Sequence, residues 1–336
     1  MEAVALQLVR YALSEDVGTG DITTLNSIPA GVHARAALVA HEDGVVSGVD
    51  VARLTFREAD ASVRFRALAR DGDVVKPGSA VAQVVGDAGS ILKAERTALN
   101  FLQHLSGVSS LTRRFVDTVK DTGAIILDTR KTTPGLRFLE KFAVRAGGGE
   151  NHRLALWDMY LVKDNHIRAA GGLTPAIERI LRTRQGDLLL EVEVESLDQL
   201  QDALRPEVDR VLIDNRPVEE VRLAVAEVDR WSRAHPPDSP RMRPGAKRWP
   251  EIEVSGGIRL DNVRAYAELG VDYISVGALT HSAPALDISL EVEMPAPAGP
   301  ASTPGGSAAG SRCGPSSSRP TMRPGICSQP APRSAP

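Results

Sequence analysis

The chain has 336 residues, with 40 Lys and Arg against 43 Asp and Glu, a formal net charge of −3. Residues 294–336 hold 10 of the 22 Pro, 6 of the 29 Gly, four Arg and both Cys (Cys313, Cys327), with no Asp, Glu, Lys or aromatic residue; this Pro/Ser/Gly/Ala-rich stretch lacks the apolar mass to offset the entropy of ordering and reads as a disordered tail. The 293 residues before it carry 36 Lys and Arg against 43 acids, a net −7 that argues against general nucleic-acid binding, and their lack of cysteine excludes disulfides, thiolate metal sites and a cysteine nucleophile and suits a reducing, cytoplasmic setting.

Val4 to Leu13 reads as a short amphipathic helix ended by Gly18-Thr19-Gly20. No apolar run approaches bilayer length and the start carries no basic segment, so neither a membrane span nor a leader is expected. Residues 33–92 alternate β-rich segments (Ala36 to Ala40, Val63 to Leu68, Ala80 to Val85) with Gly, Asp and Pro turns, the texture of a small antiparallel sheet or sandwich. A helix follows over Ala94 to His104, with Arg96, Asn100 and His104 on one face.

After residue 110 the rhythm becomes strand, loop, helix, which favours a parallel sheet or barrel. The predicted strands are Ala124 to Leu127, Met159 to Val162, Leu188 to Val194, Arg210 to Ile213, Ile252 to Val254 and Tyr273 to Val276. The predicted helices are Pro175 to Arg184, Leu197 to Leu204, Val218 to Ala234 and Leu260 to Leu269, and the proline-rich stretch Trp231 to Pro250 reads as a surface excursion.

In a parallel barrel, chemistry collects at the C-terminal strand ends. Here the early strands run into Asp128-Thr129-Arg130-Lys131 and Lys163-Asp164-Asn165-His166, the middle ones into Glu191, Glu193, Glu195 and Asp214-Asn215, and the late ones into Ser255-Gly256-Gly257 and Gly277-Ala278. An Arg fork beside a Lys point charge suits a carboxylate or phosphate, and His152-Arg153, approached through the flexible run Gly147-Gly148-Gly149, adds a second cationic pair. Lys141, Arg145 and Arg168 read as solvated surface. The three glutamates share one side of a strand; facing inward they need cations or a metal, facing outward they are simply solvated. Glu193 and Asp214 together suit Mg²⁺ or a hydroxyl, whereas His152, His166 and His281 show no zinc-ligand spacing. The late Gly sites match the usual barrel phosphate position.

The segments EDVGTGDIT (Glu15 to Thr23), AERTALNFLQHLSGV (Ala94 to Val108), DTRKTTPGLR (Asp128 to Arg137), AGGGENHR (Ala146 to Arg153), LVKDNH (Leu161 to His166), VEVES (Val192 to Ser196), IDN (Ile213 to Asn215), VSGGI (Val254 to Ile258) and VDYISVGALTHS (Val271 to Ser282) closely resemble the quinolinate phosphoribosyltransferase family, over residues 5–292. That resemblance implies the type II phosphoribosyltransferase fold, an N-terminal α/β sandwich (1–112, completed by 280–293) joined to an incomplete parallel α/β barrel (113–279). It further implies de novo NAD biosynthesis from quinolinate and phosphoribosyl pyrophosphate with Mg²⁺, in a homodimer or hexamer with shared active sites.

By the same resemblance Arg96 would reach the neighbouring subunit's site, while Thr129, Arg130, Lys131, His152, Arg153 and Lys163 would bind the quinolinate carboxylates and nearby pyrophosphate oxygens. Glu193 and Asp214 would face ribose and metal, with Lys131 and Lys163 completing the catalytic set; Ser255, Gly256, Gly257, Val276, Gly277 and Ala278 would hold the 5′-phosphate. Arg216, where the family more often has an apolar residue, and the long excursion at 231–250 depart from the pattern. Competing readings are a related molybdenum-transport family, disfavoured by Lys163 to His166; a nicotinate phosphoribosyltransferase, disfavoured by the density of cations; and a non-catalytic binding protein on the same fold.

Overall fold

The computed structural model describes residues 2–235 and 246–293; the tail and the middle of the 231–250 stretch lie outside the described residues. Helix α1 (Glu2–Val17) is followed by α2 (Ile22–Ser27), whose N-cap Asp21 accepts from the Thr23 and Thr24 amides at 3.0 Å. Next come β1 (His33–Ala40), β2 (Gly44–Val45), α3 (Val49–Ala59), β3 (Arg64–Ala67), β4 (Val74–Val75) and β5 (Ala80–Asp87). The terminal strand β12 (Ile288–Glu293) joins them in an antiparallel sheet of order β12-β1-β5-β3. Its core is apolar throughout: Leu38, Phe56, Val84, Ile91 and Leu102 are fully buried.

Helix α4 (Ala88–Thr118) has 31 residues and runs through the expected division at 112. In its second half the stretch Ser106 to Thr112 is rich in small and hydroxylated residues that look like loop in the sequence. They are packing ports. A Cβ on Gly107 would lie 2.0 Å from the Pro284 carbonyl oxygen, and the Ser106 and Ser110 hydroxyls accept the Ser47 and Val45 amides at 3.0 and 2.8 Å.

The second sheet collects β6 (Ile125–Leu127), β7 (Tyr160–Val162), β8 (Leu190–Val194), β9 (Arg210–Asp214), β10 (Glu251–Ser255) and β11 (Tyr273–Ser275), all parallel, in the order β6-β11-β10-β9-β8-β7. Strands β6 and β7 are its edges, which makes the barrel incomplete, and a bridge from Leu127 to Glu150 covers part of the β6 edge. Between the strands lie α5 (Arg137–Ala146), α6 (Asp164–Ala170), α7 (Leu173–Thr183), α8 (Leu197–Ala203), α9 (Val218–Ala234) and α10 (Val263–Ala267), with α11 (Ala278–His281) after β11.

Two expectations change here. The Trp231 to Pro250 stretch is not simply a surface excursion: its first four residues end α9, and Arg248 and Trp249 are buried. Arg248 Nη1 lies 2.9 Å from Asp229 and Nη2 donates to the Gly270 carbonyl at 2.7 Å, while the Trp249 amide donates to Ser232 Oγ at 3.1 Å. The glycine triplet is no flexible approach either, because Gly147 and Gly149 press against α4: a Cβ would meet the Ser109 carbonyl at 2.5 Å and the Thr112 methyl at 2.9 Å, respectively.

Candidate active site

The strand ends of the barrel surround a cavity of about 370 Å³. Thr129, Arg130, Lys131, His152, Arg153, Lys163, Glu193, Asp214 and Ser255 all line it, so nine of the predicted residues from distant parts of the chain converge. Leu161, Leu212, Glu253 and Ser275 complete the wall.

The loop after β6 carries the first cations. Its hold on the fold comes from Glu140 of α5, fully buried, which accepts the Thr133 amide at 3.0 Å and contacts His104 of α4 at 2.8 Å. Thr280 Oγ1 donates to the Lys131 carbonyl at 2.8 Å, tying the same loop to α11. Within this frame Arg130 Nε is buried without a hydrogen-bond partner.

Asp128, which directly follows β6, anchors the His152 segment. It is fully buried, pairs with Lys141 of α5, accepts the His152 amide at 3.0 Å and accepts from Asn151 Nδ2 at 2.8 Å. Lys141, expected on the solvated surface, is thus 3% exposed and bound to Asp128 and the His152 carbonyl. Burial pushes the Asp128 carboxyl up to about 6, with Lys141 opposing, and burial lowers Lys141. Arg145 and Arg168 are exposed as expected.

Arg153 donates through Nη1 to the Met159 carbonyl at 3.2 Å; burial and the nearby Arg130 charge lower its pKa. Lys163 N-caps α6, its amide donating to His166 Nδ1 at 3.0 Å, so His166 is a capping residue. The Lys163 ammonium pairs with Glu193. Burial raises Glu193, Lys163 opposes and the Asp214 charge raises it further, for a net upward direction. Of the three aligned glutamates, Glu191 and Glu193 are buried and Glu195, beyond the end of β8, is exposed.

At the late strand ends Gly256 and Gly257 have φ of 87° and 63°, and a Cβ on Gly256 would lie 2.7 Å from the Asn215 nitrogen. Asn215 itself has φ 53° and donates its amide to the Ser255 carbonyl at 2.8 Å. Gly277 lies against Lys131, where a Cβ would be 3.1 Å from its Cδ. Val276 is buried and donates its amide to the Leu127 carbonyl at 2.9 Å, which leaves Gly277 and Ala278 as the amides at this end able to face a phosphate. Arg96 is exposed on α4 and does not line the cavity.

Sequence reasoning missed the buried support: Asp128 and Lys141 as a pair, and Arg210, Glu253 and Ser275 inside the barrel. The signal was present as charges alternating with Val and Ile within strands, in Glu251-Ile252-Glu253 and around Arg210-Val211. Burial would raise Glu191, yet His152 and Arg210 hold it below the usual carboxylate range; burial and the Glu191 charge push Glu253 up to about 7. His152 Nε2 lies 3.0 Å from Glu191 Oε2, and neither Glu191 oxygen has a well-aligned hydrogen bond. Burial opposes charge on His152 while Glu253 and Glu191 favour it, for a net upward direction. The Arg153 amide, 2.7 Å from His152 Nδ1, needs a bare nitrogen there, so the neutral ring is the form this geometry holds.

Comparison with known proteins matches this arrangement. The family model for the quinolinate phosphoribosyl transferase C-terminal domain matches residues 108–291, and that for the N-terminal domain matches residues 21–106. The chain is 43% identical over 293 residues to the nicotinate-nucleotide pyrophosphorylase [carboxylating] of Mycobacterium leprae, covering 86% of this chain and 97% of that protein. It is 38% identical to the probable enzyme of that name from Bacillus subtilis, covering 86% and 93%. The solved nicotinate-nucleotide pyrophosphorylase of Francisella tularensis superposes with a TM-score of 0.79 at 36% identity, over 87% of this chain and 97% of that one. With both domain models matched and the pocket residues assembled on the corresponding fold, the chain belongs to the quinolinate phosphoribosyltransferase family.

Proposed function

We propose that the protein transfers the phosphoribosyl group of phosphoribosyl pyrophosphate to quinolinate, giving nicotinate mononucleotide, pyrophosphate and CO₂ in de novo NAD biosynthesis. The observation that carries this reading is the buried, partnerless Arg130 Nε in one pocket with Lys131, Arg153 and Lys163, facing Glu193 and Asp214. Such a mouth suits a dianionic ring on the cationic side and a ribose on the acidic side.

The pyridine nitrogen forms the new bond to ribose C1 as the bond from C1 to pyrophosphate breaks, the leaving oxygen taking the electron pair. Positive charge developing at C1 is stabilised by Glu193 and Asp214, and negative charge on the leaving group by the lysines and arginines. The quaternised ring then accepts the electron pair released by CO₂, and a proton takes the carboxylate's place. The protein orients the carboxylates for this step and supplies no nucleophile of its own.

Glu193 and Asp214, two carboxylates lining one pocket, would hold a divalent cation carried in on the pyrophosphate. Mg²⁺ held by these residues would supply charge neutralisation for the leaving group. The phosphate end of the substrate meets Ser255, Gly256, Gly257, Gly277 and Ala278.

The active assembly is a homodimer, or a hexamer made of such dimers, working in the cytoplasm, with Arg96 completing the neighbour's site. The exposure of Arg96 supports this, as do the exposed apolar side chains Tyr11 (71%), Ile22 (74%) and Leu25 (73%) on α1 and α2. Mixing inactive Arg96→Ala and Lys163→Ala proteins is expected to restore part of the activity. No recovery after demonstrated subunit exchange would refute the shared site. For the reaction itself, quinolinate, phosphoribosyl pyrophosphate and Mg²⁺ should yield nicotinate mononucleotide, and folded protein that forms none would refute the assignment.

A further inference from the structure

The pocket has a charged floor as well as a charged rim, and the floor is buried. Glu191 of β8, Arg210 of β9, Glu253 of β10 and Tyr273 of β11 come together from four neighbouring strands, where barrel interiors usually hold branched apolar side chains. Arg210 Nη1 donates to Glu253 Oε2 at 2.9 Å, and the guanidinium lies 3.8 Å over the Tyr273 ring. One loop residue reaches into this layer: His152 Nε2 lies 3.0 Å from Glu191 Oε2 and 3.4 Å from Glu253 Oε1. Its Nδ1 accepts the Arg153 amide at 2.7 Å. The ring borders the pocket, yet both of its nitrogens are turned to the protein.

Replacing buried charges of this kind by apolar side chains of similar volume is often neutral or stabilising, so packing alone does not account for the layer. Its effect on the rim does. Arg153 has its peptide N–H held by His152 and its guanidinium by the Met159 carbonyl, and it is Arg153 that stands beside Arg130 at the mouth.

We propose that His152 is a positioning residue: Glu191 and Glu253, with Arg210 behind them, fix its ring so that Nδ1 holds the Arg153 peptide, and Arg153 rather than His152 meets the substrate carboxylate. The proposal rests on reading the pocket as a quinolinate site and adds a division of work between two sequence neighbours. Carboxylates orient histidines in this way wherever one ring nitrogen must be kept for another task.

Nitrogen-15 NMR of the ligand-free protein reads the ring directly. Nε2 should carry the proton and Nδ1 none, a pattern lost in Glu191→Gln; a proton on Nδ1 in the unmodified protein would overturn the clamp. Calorimetric titration with quinolinate supplies the second readout, through His152→Gln, Arg153→Ala and the double variant, each checked for folding by circular dichroism. If His152 acts through Arg153, each single change weakens binding about tenfold or more, and the double variant is within about twofold of Arg153→Ala alone. A multiplicative loss of about a hundredfold in the double variant, or His152→Gln protein that binds as tightly as the unmodified chain, would overturn the proposal. An unmodified protein that binds no quinolinate would refute the functional reading instead, while the ring protonation, measured without ligand, still tests the clamp.

Discussion

The antiparallel region and the barrel solve the problem of filling an interior in opposite ways. In the first, Leu38, Phe56, Ile91 and Leu102 make a core with no charge in it. In the second, apolar residues still fill the space between sheet and helices, but beneath the pocket the inward positions carry Glu191, Arg210 and Glu253. The first arrangement does no more than stabilise. The second spends desolvation on charges whose directions are needed a few ångströms away, at the cationic rim, so its side chains serve the site as well as the fold.

Paired core substitutions separate the two interiors most strongly. Phe56→Ala should cost about 3–5 kcal/mol of stability and leave the kinetic constants of the remaining folded protein unchanged. Arg210→Leu should cost about 3–5 kcal/mol by leaving Glu191 and Glu253 uncompensated, and should also lower kcat/KM in protein that is still folded. Urea unfolding combined with steady-state kinetics separates the two; equal kinetic silence in both variants would erase the distinction.

The rim should behave in the reverse sense. Arg130→Ala removes a donor that has no internal partner, so stability should stay within about 0.5 kcal/mol. Activity should fall by about 2–5 kcal/mol in kcat/KM, roughly thirtyfold or more, because a substrate carboxylate loses its counter-charge.

A smaller effect sharpens the contrast through pH. Glu253 is pushed up to about 7 from an ordinary 4.5. Between those values the folded protein keeps a proton that the unfolded chain has released, so this group's contribution to stability falls as pH rises from 4.5 to about 7. Glu253→Gln removes that slope, and the stability difference between variant and parent should therefore shift in the variant's favour across the window. Denaturation midpoints measured at both ends check the sign; a shift the other way contradicts it.

Much of this was legible in the sequence, and the failures have physical causes. All six barrel strands lie within two residues of their expected limits, and α9 spans Val218–Ala234 as read, because short apolar runs bounded by polar residues and a clear helical stripe leave little ambiguity. Helix α5 was missed because Arg137–Ala146 sits among cations and glycines that look like a ligand loop, although Leu139, Ala143 and Val144 already mark its buried face. Helix α3 was lost among the β-rich texture of Val45 to Val51, and α4 was cut short by its small residues. The rim was legible because its cations sit at strand ends in recognisable runs. The floor was not, since whether a strand's charge faces inward depends on the register of its neighbours, which one strand's sequence does not state.

The most direct test of the account is to offer the protein carboxyl-labelled quinolinate or nicotinate, each with phosphoribosyl pyrophosphate and Mg²⁺, and to follow CO₂ and mononucleotide together. The account predicts equal amounts of CO₂ and nicotinate mononucleotide from quinolinate, and no appreciable product from nicotinate. Mononucleotide made from nicotinate, or quinolinate consumed without CO₂, would contradict it.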